Sequence, residues 1–285
     1  MPPRSVCLVI LLYWVVASSS LIRRDVLPEL GFVRPPDLRA IAQADERTGP
    51  TRWSVEVIDN PLTPEVRRPI GQAVTEVARR LDGWVTLSSR IWFDAGGLLR
   101  GTSFSNREAV QLEVRSESRV DPSGNLHSFR MNVKDLSSPD ELVHVEGDLI
   151  NREMHVKATG PLPILNQTRV IPYEPRGLMQ NSLSPFDRLP GLQVGQRWET
   201  RMVSPLTGRI ESVRAEVVRR LPIHWDKAPV QAFEVVHQMT PLASRTWVRP
   251  DGLVLRQEVP FPFVKLILER LPDRETLPNA EVPGR

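Results

Sequence analysis

From Thr51 onward, apolar residues fall on alternate positions, and this two-residue rhythm decides what the chain can fold into. The stretch AVQLEVRSESRV shows it most cleanly. Val110, Leu112, Val114 and Val120 point one way, with Ser116 and Ser118 between them. Gln111, Glu113, Arg115, Glu117 and Arg119 point the other way. One buried face and one wet face belong to an antiparallel sheet rather than to a parallel sheet covered on both sides. The turn residues Asp121–Asn125 then lead into LHSFRMNV, where the alternation puts His127, Phe129, Met131 and Val133 on one side.

The same pattern recurs along the chain. IGQAVTEVARR meets WVTLSSRIWF across Asp82-Gly83, with Val85, Leu87, Ile91 and Phe93 on one face. ELVHVEGDL meets REMHVKA around Ile150-Asn151, and QRWETRMV, RIESVRAEVVRR and APVQAFEVVHQM follow. Near the end, Pro250-Asp251-Gly252 makes a hairpin turn, because Pro presets φ and Gly tolerates positive φ. Leu253, Leu255, Gln257 and Val259 then share a face, and Pro260 and Pro262 must sit at an edge or a break between the closing strands. The 27 prolines punctuate short elements, and no helix beyond a few turns is required after Thr51. The expected fold is mainly β: a large curved antiparallel meander of about a dozen strands, as a half-barrel or a sandwich, with an N-terminal transmembrane helix.

The helix is expected from VCLVILLYWVVASSSLI, Val6 to Ile22, bracketed by Arg4 and by Arg23 and Arg24. With its serines the segment reaches the minimum length, about 17 residues, that crosses a bilayer core. Tyr13, Trp14 and the two following arginines fit a retained signal-anchor better than a signal cleaved near Ala17-Ser18-Ser19. The chain therefore divides into a signal-anchor (1–24), a proline-containing linker (25–50), an antiparallel β domain (51–271) and a polar tail (272–285). The flanking arginines alone would hold the body in the cytoplasm. Large domains translocate regardless of such counts, and the export-like start favours an extracytoplasmic, periplasmic body.

The charge balance excludes one class of partner. Lys and Arg (37) and Asp and Glu (34) are interspersed with no dense basic block, so nucleic acid is not expected. The lone cysteine, Cys7, lies in the apolar segment and excludes an intrachain disulfide or a cysteine-held metal. No cofactor is expected. There is no G-x-S-x-G elbow for a serine nucleophile. FDAGGLLRG (Phe93–Gly101) lacks the Lys-Ser/Thr of a phosphate loop. No catalytic residue is assigned.

Two candidate sites remain. His144, Glu146 and His155 would share a face if the hairpin turned at Ile150-Asn151, with Glu146 opposite His155; two imidazoles and a carboxylate could hold zinc for a metal-assisted hydrolase. The competing reading is the wet face of a hairpin, with Lys157 on it. Trp84 and Trp92 share parity with Thr86, Ser88 and Arg90, opposite the apolar Val85 face. They are candidates for a surface that meets a ligand, a partner or lipid.

Three stretches carry a resemblance: SPFDRLPGLQVGQRWETRMVSPLTG (Ser184–Gly208), PIHWDKAPVQAFEVVH (Pro222–His237) and TWVRPDGLVLRQEVPFPF (Thr246–Phe263). Together they resemble an uncharacterised family of bacterial membrane-anchored envelope proteins, and RWSVEVIDNPLTPEVRRPIGQAVTEVARRLDGW is similar to that family's opening hairpin. The order of Pro-rich turn, L-x-x-G-Q-x-W and strand is similar to a broader bacterial domain of unknown function, distantly similar to the Lol-type lipoprotein carriers. The resemblance implies a curved antiparallel sheet of the kind that shields acyl chains, and it supplies no catalytic residue. Anchoring departs from a soluble shuttle. The expected function is a membrane-tethered, non-catalytic envelope domain that binds an apolar, lipid or envelope ligand in its concave face, or scaffolds a membrane complex.

Overall fold

The computed structural model describes residues 49–58, 66–98, 110–138, 141–161, 163, 166–172, 179–181, 187–203, 210–238, 243–261 and 264–272. The strands are β1 (Thr51–Ile58), β2 (Arg68–Arg79), β3 (Val85–Asp94), β4 (Gln111–Val120), β5 (Leu126–Asp135), β6 (Glu141–Ile150), β7 (Glu153–Thr159) and β8 (Gln167–Pro172). They continue as β9 (Met179–Asn181), β10 (Arg197–Val203), β11 (Ile210–Trp225), β12 (Ala228–Gln238), β13 (Ala243–Val248), β14 (Val254–Phe261) and β15 (Val264–Arg270). One short helix, α1 (Ala95–Leu98), follows β3.

All fifteen strands belong to one open, curved sheet, in the order β8-β7-β6-β5-β4-β3-β2-β1-β15-β14-β13-β12-β11-β10-β9. The expectation of an antiparallel β body holds, with two corrections. There is no second sheet among the described residues, so the architecture is a curled sheet and not a sandwich. The meander is not continuous in space either. β1 lies at the centre against β15, from Trp53↔Arg270 to Ile58↔Lys265, and β9 pairs β10 in parallel. The first and last strands are thereby sewn together in the middle of the sheet. The apolar segment expected to form a transmembrane helix lies outside the described residues, and among the described residues no helix is long and apolar enough to cross a membrane.

The sheet curls because its apolar face has nothing else to pack on. Trp53, Val55 and Val57 of β1 are fully buried among Ala73, Ile91, Val114, Met131, Val145, Val156, Leu266 and Leu268, all contributed by the inner face. A flat sheet would leave these side chains in water, at a cost of roughly 25 cal/mol per Å² of apolar surface.

Among the described residues the register shifts at five places, at Ile70, His127, Leu142, Val218 and Leu255, and three of these reorder the faces. His127 is an extra residue on β5, because Arg119 pairs Ser128 while Val120 pairs Leu126. His127 is therefore exposed and does not join Phe129, Met131 and Val133 on the buried side. Val218 is skipped on β11, and beyond it Leu221 and Ile223 turn to the outer face. Leu255 is skipped on β14, where Val248 pairs Val254 and Trp247 pairs Arg256. Leu253 and Leu255 consequently leave the face of Gln257 and Val259 and form a second small core with Ile223, Ala232 and Trp247. Pro260 stands inside β14 opposite Lys265, beyond Glu258 where the ladder to β13 ends, so its missing N–H breaks no bond to β13.

One pairing fixes a glycine. Gly147 of β6 lies opposite Phe129 of β5, and a Cβ at 147 would overlap the Phe129 ring. Gly147→Ala is expected to lower stability by about 1–3 kcal/mol through overpacking. Chemical denaturation measures this, and an unchanged midpoint would show that the ring moves freely.

Candidate functional site: a polar groove across five strands

The outward residues of β2 to β6 line up in register as two rows. Val74, Arg90, Arg115, Asn132 and His144 are successive cross-strand partners in one row. Glu76, Ser88, Glu117, Arg130 and Glu146 are partners in the next. Together with Trp92, these rows line a groove of about 680 Å³ on the outer face.

The floor of the groove is braced by a buried carboxylate. Glu113, with 2% of its side chain exposed, sits between Arg90 and Arg115. Arg115 Nε donates to Glu113 Oε2 at 2.9 Å, and Arg90 Nε donates to Oε1. Burial pushes the Glu113 carboxyl up, but hydrogen bonds and charge from the two guanidinium groups outweigh it and hold the group below its usual range. The Arg90 guanidinium also lies 4.6 Å above the Trp92 ring, so it is fixed from two sides. A groove built on paired strands and pinned arginines keeps its shape without a ligand.

At the far end, His144 Nδ1 donates to Asn132 Oδ1 at 2.7 Å, and its Nε2 faces Glu146 Oε2 at 3.6 Å. Glu141 Oε2 stands 3.8 Å from Nδ1. His144 and Glu146 are therefore neighbours, as the alternation implies. His155 is not with them. The hairpin turns at Asn151 and Arg152, both at positive φ (51° and 66°), which sets Asp148 opposite His155 and Lys157 opposite Glu146. His155 Nε2 instead faces Glu153 at 3.9 Å. Among the described residues, no three His, Cys, Asp or Glu side chains come together with metal-binding geometry.

Trp84 and Trp92 share the outer face but not one site. Trp84 precedes β3 and meets the ring of His127 edge-on at 5.1 Å, in a separate hollow of about 190 Å³ beside Arg119. Eight residues of extended chain, about 26 Å, separate it from Trp92.

The inner face carries polar side chains too, and they are shut in. Asp187, Arg270, Thr75 and Thr51 form one buried cluster; His237, Ser244 and Thr246 form another. His237 Nδ1, Ser244 Oγ and Thr246 Oγ1 are buried without a hydrogen-bond partner. His237 lies opposite Ser244 and Ala215, its ring edge-on to Trp198 at 6.4 Å, and burial lowers its pKa to about 4.

The sequence singles out Trp92, His144 and Glu146 but not the groove that they line together. Its signal is the polar parity of five consecutive strands, and only the register turns that parity into two aligned rows.

No protein-family model and no curated protein matches this chain. Among solved structures it is similar to a β-barrel-like protein of the domain of unknown function DUF1849 from Brucella abortus. That likeness has 11% identity and a TM-score of 0.49, over 78% of this chain and 94% of the other. It is also similar to a DUF1089 family protein from Pseudomonas aeruginosa, with 16% identity and a TM-score of 0.35, over 67% of this chain and 89% of the other.

Proposed function

We propose that this chain is a membrane-tethered, non-catalytic envelope domain that holds an envelope ligand in the groove of its outer face. The observation that carries the reading is the pair of aligned polar rows across β2 to β6, enclosing about 680 Å³. Ligand sites occupy roughly 300–1,000 Å³ and rely on a few fixed polar groups. The tether is the apolar stretch Val6 to Ile22, read from sequence. The inner face supports an apolar ligand less well, because Trp53, Ile91, Met131, Leu266 and Leu268 already fill one another's space there. Glu113 is committed to the Nε groups of Arg90 and Arg115, which suits rigid recognition rather than proton transfer.

The test uses the full chain in detergent, sedimented with delipidated cell-wall material. Retention is expected, and Trp92→Ala is expected to weaken it by about tenfold. Equal retention of Trp92→Ala and the parent chain would contradict the reading.

A further inference from the structure

We infer that the groove takes an uncharged oligosaccharide, an assignment that rests on the groove being the binding site. The two rows differ in chemistry. The row through Arg90, Arg115 and His144 is rich in N–H donors, and the row through Glu76, Glu117 and Glu146 is rich in acceptors. They are two residues apart along each strand, about 7 Å. A ligand lying between them must offer acceptors to one side and donors to the other, repeatedly, along its length. Hydroxyl groups do both, and a sugar ring carries them around its rim.

Charge removes the main rivals. Arg90 and Arg115 in one row face Glu76, Glu117 and Glu146 in the other, where Arg130 offsets one of the three carboxylates, and Glu113 lies beneath. A polyanion or a polycation would meet repulsion from one row for every attraction from the other. An acyl chain would find Val74 and Trp92 as the only apolar side chains of the lining, and it would strip water from the charged heads around them. An extended peptide binds best by adding a strand, but each of β2 to β6 is already paired on both sides, so the groove offers side chains only. Trp92, which carries the Arg90 guanidinium over one face of its ring, adds aromatic surface for the C–H groups of a sugar. The groove crosses four strand spacings, about 19 Å, long enough for a short chain of sugar rings.

The assignment is tested by calorimetric titration of the full chain in a detergent without a sugar headgroup. The probes are chitotetraose, maltotetraose, a heparin-derived tetrasaccharide and palmitate. At least one of the two uncharged tetrasaccharides is expected to bind. Trp92→Phe, which keeps the fold and an aromatic ring, should retain that binding. Trp92→Ala and Glu117→Gln should each weaken it by about tenfold or more, with thermal midpoints confirming that the variants fold. Heparin or palmitate binding lost in Trp92→Ala, without uncharged sugar binding, would overturn the saccharide assignment and leave the groove as the site. Uncharged sugar binding that is equal in parent and Trp92→Ala would overturn the assignment and the groove together, as would binding of no probe at all.

Discussion

Replacing Arg270 with methionine is expected to destabilise the domain by about 3–5 kcal/mol, because it strands a buried carboxylate. Arg270 and Asp187 have 3% and 4% of their side chains exposed, and Nη1 lies 3.5 Å from Oδ1. Asp187 Oδ1 also accepts from Thr75 Oγ1 at 2.6 Å, and Thr75 Oγ1 accepts from Trp53 Nε1 at 3.0 Å. Arg270 Nη2 donates to Thr51 Oγ1 at 3.1 Å, and the guanidinium stands 5.8 Å from the centre of the Trp53 ring. The cluster therefore ties β1, β2 and β15 to the segment that begins at Asp187. That segment docks on the β13–β14 turn through Leu189 N–H to Gly252 O (2.7 Å) and Val254 N–H to Asp187 O (3.0 Å). With the cation removed, the anion keeps its desolvation cost and loses its main compensation. The double variant Arg270→Met with Asp187→Leu should recover most of the loss, since it leaves no buried charge. Denaturant unfolding reads both effects, and a single-variant loss below about 1 kcal/mol would show that the pair is not desolvated in solution.

The second large effect is acid sensitivity centred on His237. Burial lowers its pKa from 6.5 to about 4. The unfolded chain therefore binds a proton more readily than the folded one, and stability rises with pH between those values. His237 contributes its full share above about pH 6.5 and loses it as pH falls toward 4, a change of about 3 kcal/mol at 1.36 kcal/mol per unit. Glu113 acts lower on the scale: its depressed carboxyl gives stability above its ordinary value of 4.5 that is lost on further acidification. The His237→Leu variant isolates the first term. It removes the unpartnered Nδ1, so stability at pH 7 should change little. Its stability should be flat between pH 6.5 and 4.5, where the parent chain declines. Parallel curves for the two proteins would mean that the imidazole is solvated.

Alternation made most of the strands legible. The faces of β3 and β4 follow from parity alone, and the turns at Gly83 and Gly252 follow from residues that accept positive φ (83° and 89°). Three features were hidden, for related reasons. His127, Val218 and Leu255 are bulge residues, and nothing in their identity announces that an extra residue reverses the parity on either side. The turn after β6 falls one residue later than the apolar pattern suggests, at Asn151-Arg152, and that single step separates His155 from Glu146. The pairing of β1 with β15 joins residues more than two hundred positions apart, which local periodicity does not encode. The groove was half visible. Each strand shows its polar parity, but which residues stand side by side depends on register, and register is a property of pairs.

The central claim is that the curled sheet fills its own apolar face and recognises its ligand with the polar one. Backbone amide hydrogen exchange on the full chain, with and without saturating delipidated cell-wall material, tests it directly. Slowed exchange in β2 to β6 with no change at Val213–Val217 or Val235–His237 is the expected result. Slowed exchange confined to those inner-face segments of β11 and β12, with β2 to β6 unaffected, would contradict it.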